Sequence, residues 1–178
     1  MATMILLPND DSSVSSDWIP VGETEAWECL DDDNDGTSYV KCNDGLEHMI
    51  IEFANPSVAE ADIDTIDAVR FLSSGKANHR TNPSTVRHTF EVPSGNPNED
   101  VSYDAHRTNF ETINGTSRTT SDGSSAVWSY ANLEALEMRV SKLNTIEVYL
   151  SYLALQVTYT AAIAVTVTDN ATFFGANF

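Results

Sequence analysis

Along residues 143–178, aliphatic, β-branched and aromatic side chains alternate with small ones, and the only acidic residues are Glu147 and Asp169. Such a run pairs with any free strand edge, so it must lie inside a β-sheet or against another subunit. From Ile146 to Ala154 the even positions are apolar, and from Leu153 to Tyr159 the odd ones take over. That change of phase predicts a bulge or kink near Leu153. Upstream, short β-like runs separated by Gly, Pro and Asn extend the pattern over most of the chain. The fold expected is therefore all-β, an antiparallel β-sandwich or jelly roll with extended terminal arms.

The 178 residues fit one domain able to bury a core without metals or disulfides. Residues 1–17 read as an N-terminal arm and linker, with a short strand at 4–7 followed by a Ser/Asp-rich link. Residues 18–160 read as the sandwich domain and 161–178 as a C-terminal β-arm. Within the domain, 37–42 and 46–53 read as strands around the hairpin signal Asn43-Asp44-Gly45. The segments 63–71, 86–92 and 103–113 read as further strands, with 93–100 and 114–125 as loops, and Trp27 and Leu30 fall in a short extended piece. Leu133, Leu136, Val140 and Leu143 also fit helical spacing. A single helical turn at 131–135 followed by a strand reconciles that spacing with the β-like flanks.

The formal net charge is −18, from 27 acidic residues against 9 Lys plus Arg. Such a surface repels DNA phosphates and anionic lipid headgroups, so neither nucleic acid nor membrane is an expected partner. Acidity instead fits a basic protein partner, or solubility in a salty medium. Residues 1–7 are too short for the apolar core of an export signal and lack a basic flank, and the apolar run 161–167 is too short to span a bilayer. Cys29 and Cys42, the only cysteines, are read as free thiols, although a hairpin would bring them face to face.

Few residues stand in patterns that carry chemistry. Asp31, Asp33 and Asp35 followed by Gly36 resemble the opening of a calcium loop, in which alternate carboxylates converge on one cation. The loop's closing Glu is replaced by Cys42, which leaves an ordinary Asx turn as the competing reading and no cofactor expected. His48, His79, His88 and His106 show no metal-ligand spacing, and His88 reads as solvent-facing beside Arg87. No nucleophile elbow or Cys/His signature is present, so an enzyme is not expected. Trp18, Trp27 and Trp128, with Tyr39, Tyr103 and Tyr130, offer an aromatic platform for sugar rings, against the ordinary role of Trp and Tyr in filling a core or interface.

Several phrases occur together in a fixed order. Thr37-Ser38-Tyr39-Val40 follows an Asp-rich turn, Ile63 through Phe71 follows another, Trp128 leads to Asn132-Leu133-Glu134-Ala135-Leu136-Glu137-Met138-Arg139-Val140, and the series ends in Gln156-Val157-Thr158-Tyr159. Across residues 18–159 this order resembles β-sandwich virion proteins of tailed, largely marine, bacteriophages. The resemblance implies a non-enzymatic structural role, foremost as a capsid decoration (cement) protein. It would be made in the host cytoplasm and sit on the outer surface of the particle, bound to the major capsid protein and to copies of itself. The residues expected at such an interface are Ile163, Val165, Val167, Phe173, Phe174 and Phe178. A glycan-binding adhesion module of a tail or fibre is the alternative expectation.

Overall fold

In the computed structural model, which describes residues 1–31, 37–43, 47–92, 97–104 and 109–163, alternation of apolar and polar residues produces two packed antiparallel sheets. The strands are β1 (Ala2–Leu6), β2 (Pro8–Val14), β3 (Trp18–Val21), β4 (Tyr39–Cys42), β5 (His48–Phe53), β6 (Ile63–Ala77), β7 (Ser84–Glu91), β8 (Asn98–Tyr103), β9 (Glu111–Asn114), β10 (Glu137–Lys142) and β11 (Val148–Ala161). The first sheet runs β3-β4-β11-β6-β9, with β1 also paired to β11; the second runs β2-β5-β10-β7-β8. The protein is an all-β sandwich.

Strand β11 organises the first sheet. One side pairs with β6 along almost its whole length, while the other side serves β4 at residues 148–150 and β1 at residues 155–159. Between those two partners the Leu153 N–H donates to the Leu30 carbonyl at 2.9 Å, so the gap in pairing leaves no orphaned donor there. The predicted change of phase is a register shift between Leu150 and Tyr152. Val148 and Leu150 face the core before it, and Leu153, Leu155 and Val157 after it. The short helix α1 (Tyr130–Glu134) also falls where the spacing put it, capped by Ser129, which accepts from the Asn132 N–H, and leads into β10.

Other expectations change. The stretch 9–17, read as a linker, carries most of β2, because Pro8 to Val14 add to the edge of β5 despite their polarity. An edge strand needs only backbone groups for pairing, and apolar content gives no notice of it. The chain thus enters one sheet with β1 and the other with β2. The expected loop 93–100 already contains the start of β8, and the single strand expected at 103–113 is divided between β8 and β9. Trp27 and Leu30 lie in consecutive turns: the Cys29 N–H donates to the Ala26 carbonyl and the Leu30 N–H to that of Trp27. Cys29 and Cys42 are both buried free thiols, and burial pushes the Cys29 thiol up from its ordinary pKa.

His88 is the clearest reversal. It is fully buried, its ring stacked on Phe71 with centroids 4.2 Å apart and planes 7° from parallel. Neighbours on a strand point to opposite faces, so the exposure of Arg87, which bonds Asp100 through two hydrogen bonds at 2.6 and 2.9 Å, is what turns His88 inward. Among the described residues neither ring nitrogen has a hydrogen-bond partner. Desolvation lowers the imidazole pKa from 6.5 to about 3, against a smaller opposing pull from the Asp100 charge. The two sheets are joined at a second point by Tyr103 of β8, whose hydroxyl lies 2.6 Å from Ser73 Oγ on β6.

The unfolded chain protonates His88 near pH 6.5 and the folded chain only near pH 3, so this group's contribution to stability is complete above 6.5 and declines as pH falls toward 3. The expected slope from it is about 1.4 kcal/mol per pH unit in that window. Urea denaturation of the wild type and a His88→Leu variant between pH 4 and 7 measures it. The variant is expected to lose about one proton equivalent of the pH dependence, and NMR is expected to show no titration of the folded His88 ring near pH 6.5.

Candidate functional site

The first sheet presents one row of outward side chains because four strands are in register there. Lys41 of β4 and Lys76 of β6 are the direct partners of Tyr149 of β11, one on each side, and Ile19 of β3 pairs with Lys41. Their neighbours Val40, Cys42, Val148, Leu150 and Ala77 are buried, so the row Ile19, Lys41, Tyr149, Lys76 points away from the core. Under it the core is unusually tight. A Cβ on Gly75 would stand 2.7 Å from Leu150 Cδ2 and 2.8 Å from Tyr103 Cε1, so glycine is what lets those side chains fill the space beneath the row.

Aromatic rings gather on this outer face. Tyr39 meets Tyr149 edge to face with centroids 5.2 Å apart, and Phe110 leans in to 6.2 Å from Tyr39. The Lys76 ammonium lies 4.4 Å from the centre of the Phe110 ring and 5.6 Å from that of Tyr149. Both distances fall in the cation–π range, which restrains an otherwise flexible side chain. Beside the row, two residues along the strands, the Asn78 amide donates to the Tyr149 hydroxyl at 2.9 Å and to the Glu147 carboxylate. Desolvation, reinforced by the Glu147 carboxylate, raises the Tyr149 phenol to about 12, so it remains a neutral donor at any physiological pH.

Tyr39, Lys76, Ala77, Asn78 and Tyr149 line an open depression of about 250 Å³ here. Enclosed sites for drug-sized ligands occupy roughly 300–1,000 Å³. A shallow open trough with aromatic faces and several polar tips suits one segment of an extended polymer better than an engulfed metabolite. A second groove of about 330 Å³ runs between residues 60–66 and 127–130. Its walls include Ile63, Ile66, the exposed Val127 and the acidic Glu60 and Asp64. Trp128 touches it, but the ring is only 4% exposed, T-shaped against Phe90, with its indole N–H donating to the Arg118 carbonyl. That groove offers aliphatic surface, carboxylates and the half-buried Tyr130, whose hydroxyl donates to the Val58 carbonyl at 3.0 Å.

No protein-family model matches the sequence, and no curated protein matches it significantly. Among solved structures, a point mutant of CBM29-2, a family 29 carbohydrate-binding module, is similar to this chain, with 8% sequence identity and a TM-score of 0.42 over 87% of this chain and 92% of that one. Nothing about ligands follows from a likeness so distant.

The residues singled out by sequence fall elsewhere. Trp18 is 2% exposed, directed into the core opposite Cys42, and Trp128 is buried as described; only Trp27 keeps part of its side chain in solvent. The three tryptophans thus form no shared open face, for the usual reason that a large apolar ring gains most by burial. Asp31 is half-buried, while Asp33 and Asp35 lie outside the described residues. Among the described residues no three His, Cys, Asp or Glu side chains converge as a metal site, and no helix is long and apolar enough to cross a membrane. Of the expected interface residues Ile163 is 89% exposed, and Val165, Val167, Phe173, Phe174 and Phe178 lie outside the described residues. His79 Nδ1 accepts the N–H groups of Thr81 and Asn82, which makes it a loop cap.

Sequence reading passed over Tyr149, Lys76 and Phe110, although a signal for the first existed. With the even positions of 146–154 directed inward, an odd-numbered Tyr149 had to face out, between two strands that each carry a lysine.

Proposed function

We propose that the protein is a non-catalytic carbohydrate-binding module whose ligand lies across the outer face of the six-stranded sheet. The observation that carries this reading is the convergence of Tyr39, Tyr149, Lys76 and Asn78 around one open trough, with Phe110 beside it against Tyr39 and Lys76, and Glu147 beside it held by Asn78. Aromatic faces cover the apolar C–H faces of sugar rings, and amide, ammonium and carboxylate groups meet their hydroxyls. Rigid strands hold both kinds of group without an ordering cost on binding. None of these groups is arranged as a nucleophile with its base, and the trough excludes no water, which supports binding without turnover. A glycan array probed with the full chain tests the reading. Tyr149→Ala is expected to weaken binding of any hit at least tenfold, about 1.4 kcal/mol, with cooperative unfolding retained.

A second reading, compatible with the first, makes the chain a structural virion protein of a tailed phage, a decoration protein on the outer surface that binds the major capsid protein and itself. What favours it is the way the chain leaves the fold. Ala162 is anchored by donating its N–H to the Asp62 carbonyl at 2.9 Å, Ile163 is already exposed, and the sequence continues into Val165, Val167, Phe173, Phe174 and Phe178. Apolar residues at that density favour a neighbouring subunit. Deleting residues 164–178 is expected to leave a folded monomer, and sedimentation of the two forms compares self-association directly. Equal association by the truncated chain would contradict this second reading.

A further inference from the structure

Resting on the glycan-binding reading, we infer that the ligand of this face is an anionic polysaccharide, carrying carboxylate or sulfate groups, held between Lys41 and Lys76 with a sugar ring against Tyr149. The chain has only three lysines, Lys41, Lys76 and Lys142, in a protein of net charge −18. Lys142 is buried and donates to the Cys42 carbonyl at 3.3 Å. The other two flank the same tyrosine as its direct partners in register. Side chains directly opposite in antiparallel strands sit about 4.5–5.5 Å apart at Cβ, so the two ammonium groups straddle one sugar-binding ring.

Four of the six arginines are committed elsewhere, while Arg80 is exposed on the loop after β6 and Arg107 lies outside the described residues. Arg87 pairs with Asp100, Arg118 with Glu99 and Arg139 with Glu91, while Arg70 donates to Gln156 at 2.7 Å. Lys41 and Lys76, in contrast, have no ion pair with any described carboxylate, although acidic residues outnumber basic ones 27 to 9. The nearest carboxylate, Glu147, lies beside the Tyr149 hydroxyl rather than beside either lysine, and is engaged by Asn78. A polyanion is therefore repelled by most of the molecule and attracted at one row, which selects its position before short-range contacts form. Lys76, restrained over Phe110 and Tyr149, presents its ammonium without the usual loss of side-chain freedom.

Affinity electrophoresis of the full chain through gels containing alginate, polygalacturonate or carrageenan, with galactomannan and mixed-linkage glucan as neutral polymers and a double-stranded DNA oligomer as a non-sugar polyanion, tests this. The acidic polysaccharides are expected to retard the protein at least tenfold more strongly than the neutral ones, with retardation falling as salt rises. Lys41→Gln and Lys76→Gln are each expected to lose most of it at unchanged urea midpoint, and Lys76→Arg to retain it. Preference for neutral polymers, with the lysine variants unchanged, would overturn the anionic assignment and leave the glycan-binding face standing. Binding of DNA as tight as that of the acidic polysaccharides would also overturn it. Absence of retardation by every polysaccharide would overturn both.

Discussion

The pairing of β11 with three other strands is the constraint on which the rest of the structure depends. One side of it pairs continuously with β6, and the other is shared by β4 and β1, with the Leu30 carbonyl taking the N–H left between them. The bulge between Leu150 and Tyr152 does two things at once. It keeps the apolar side chains of both halves of the strand in the core, and it leaves Tyr149 facing outward between Lys41 and Lys76. A slip of one residue in this register would exchange the inward and outward sets, so the core and the candidate site are specified by the same backbone hydrogen bonds.

Packing between the sheets is similarly economical. Phe71 of β6 stacks on His88 of β7 and lies near Phe90, which in turn meets Trp128. Burying a neutral imidazole without partners costs free energy that a phenyl ring would not, and it ties folding to pH. Tyr103 crosses from β8 to Ser73, where its hydroxyl is satisfied inside the buried layer. Burial raises the Tyr103 phenol well above its ordinary pKa, so it stays a neutral hydroxyl in that bond. Much of the acidic excess lies outside this layer, in turns, strand edges and the exposed faces of the sheets.

The sandwich was legible from residues because period-two alternation reports which side chains point inward, and because a change of its phase along 146–159 has only one cheap structural meaning. The single turn at Tyr130–Glu134 was legible from its spacing and its flanks. Strand β2 was not, since a polar edge strand is held by backbone groups that leave no trace in side-chain chemistry. His88 was misplaced by its chemical character, although the alternation with Arg87 already determined its direction. The tryptophans drew notice for their size, and size is what buries them. A site assembled from Tyr39, Lys41, Lys76, Phe110 and Tyr149 spans residues far apart in sequence, and only strand register brings them together.

A glycan resting on the outer face of the six-stranded sheet would contact residues from four strands at once. Chemical-shift mapping of the full chain titrated with an acidic oligosaccharide, read at backbone amides, lysine ammonium groups and aromatic rings, addresses that face residue by residue. The account predicts perturbations centred on Tyr39, Lys41, Lys76, Asn78 and Tyr149 and fading toward the second sheet. Perturbations centred instead on the groove at Ile63, Val127 and Tyr130, or a spectrum unmoved at saturating sugar, would contradict it.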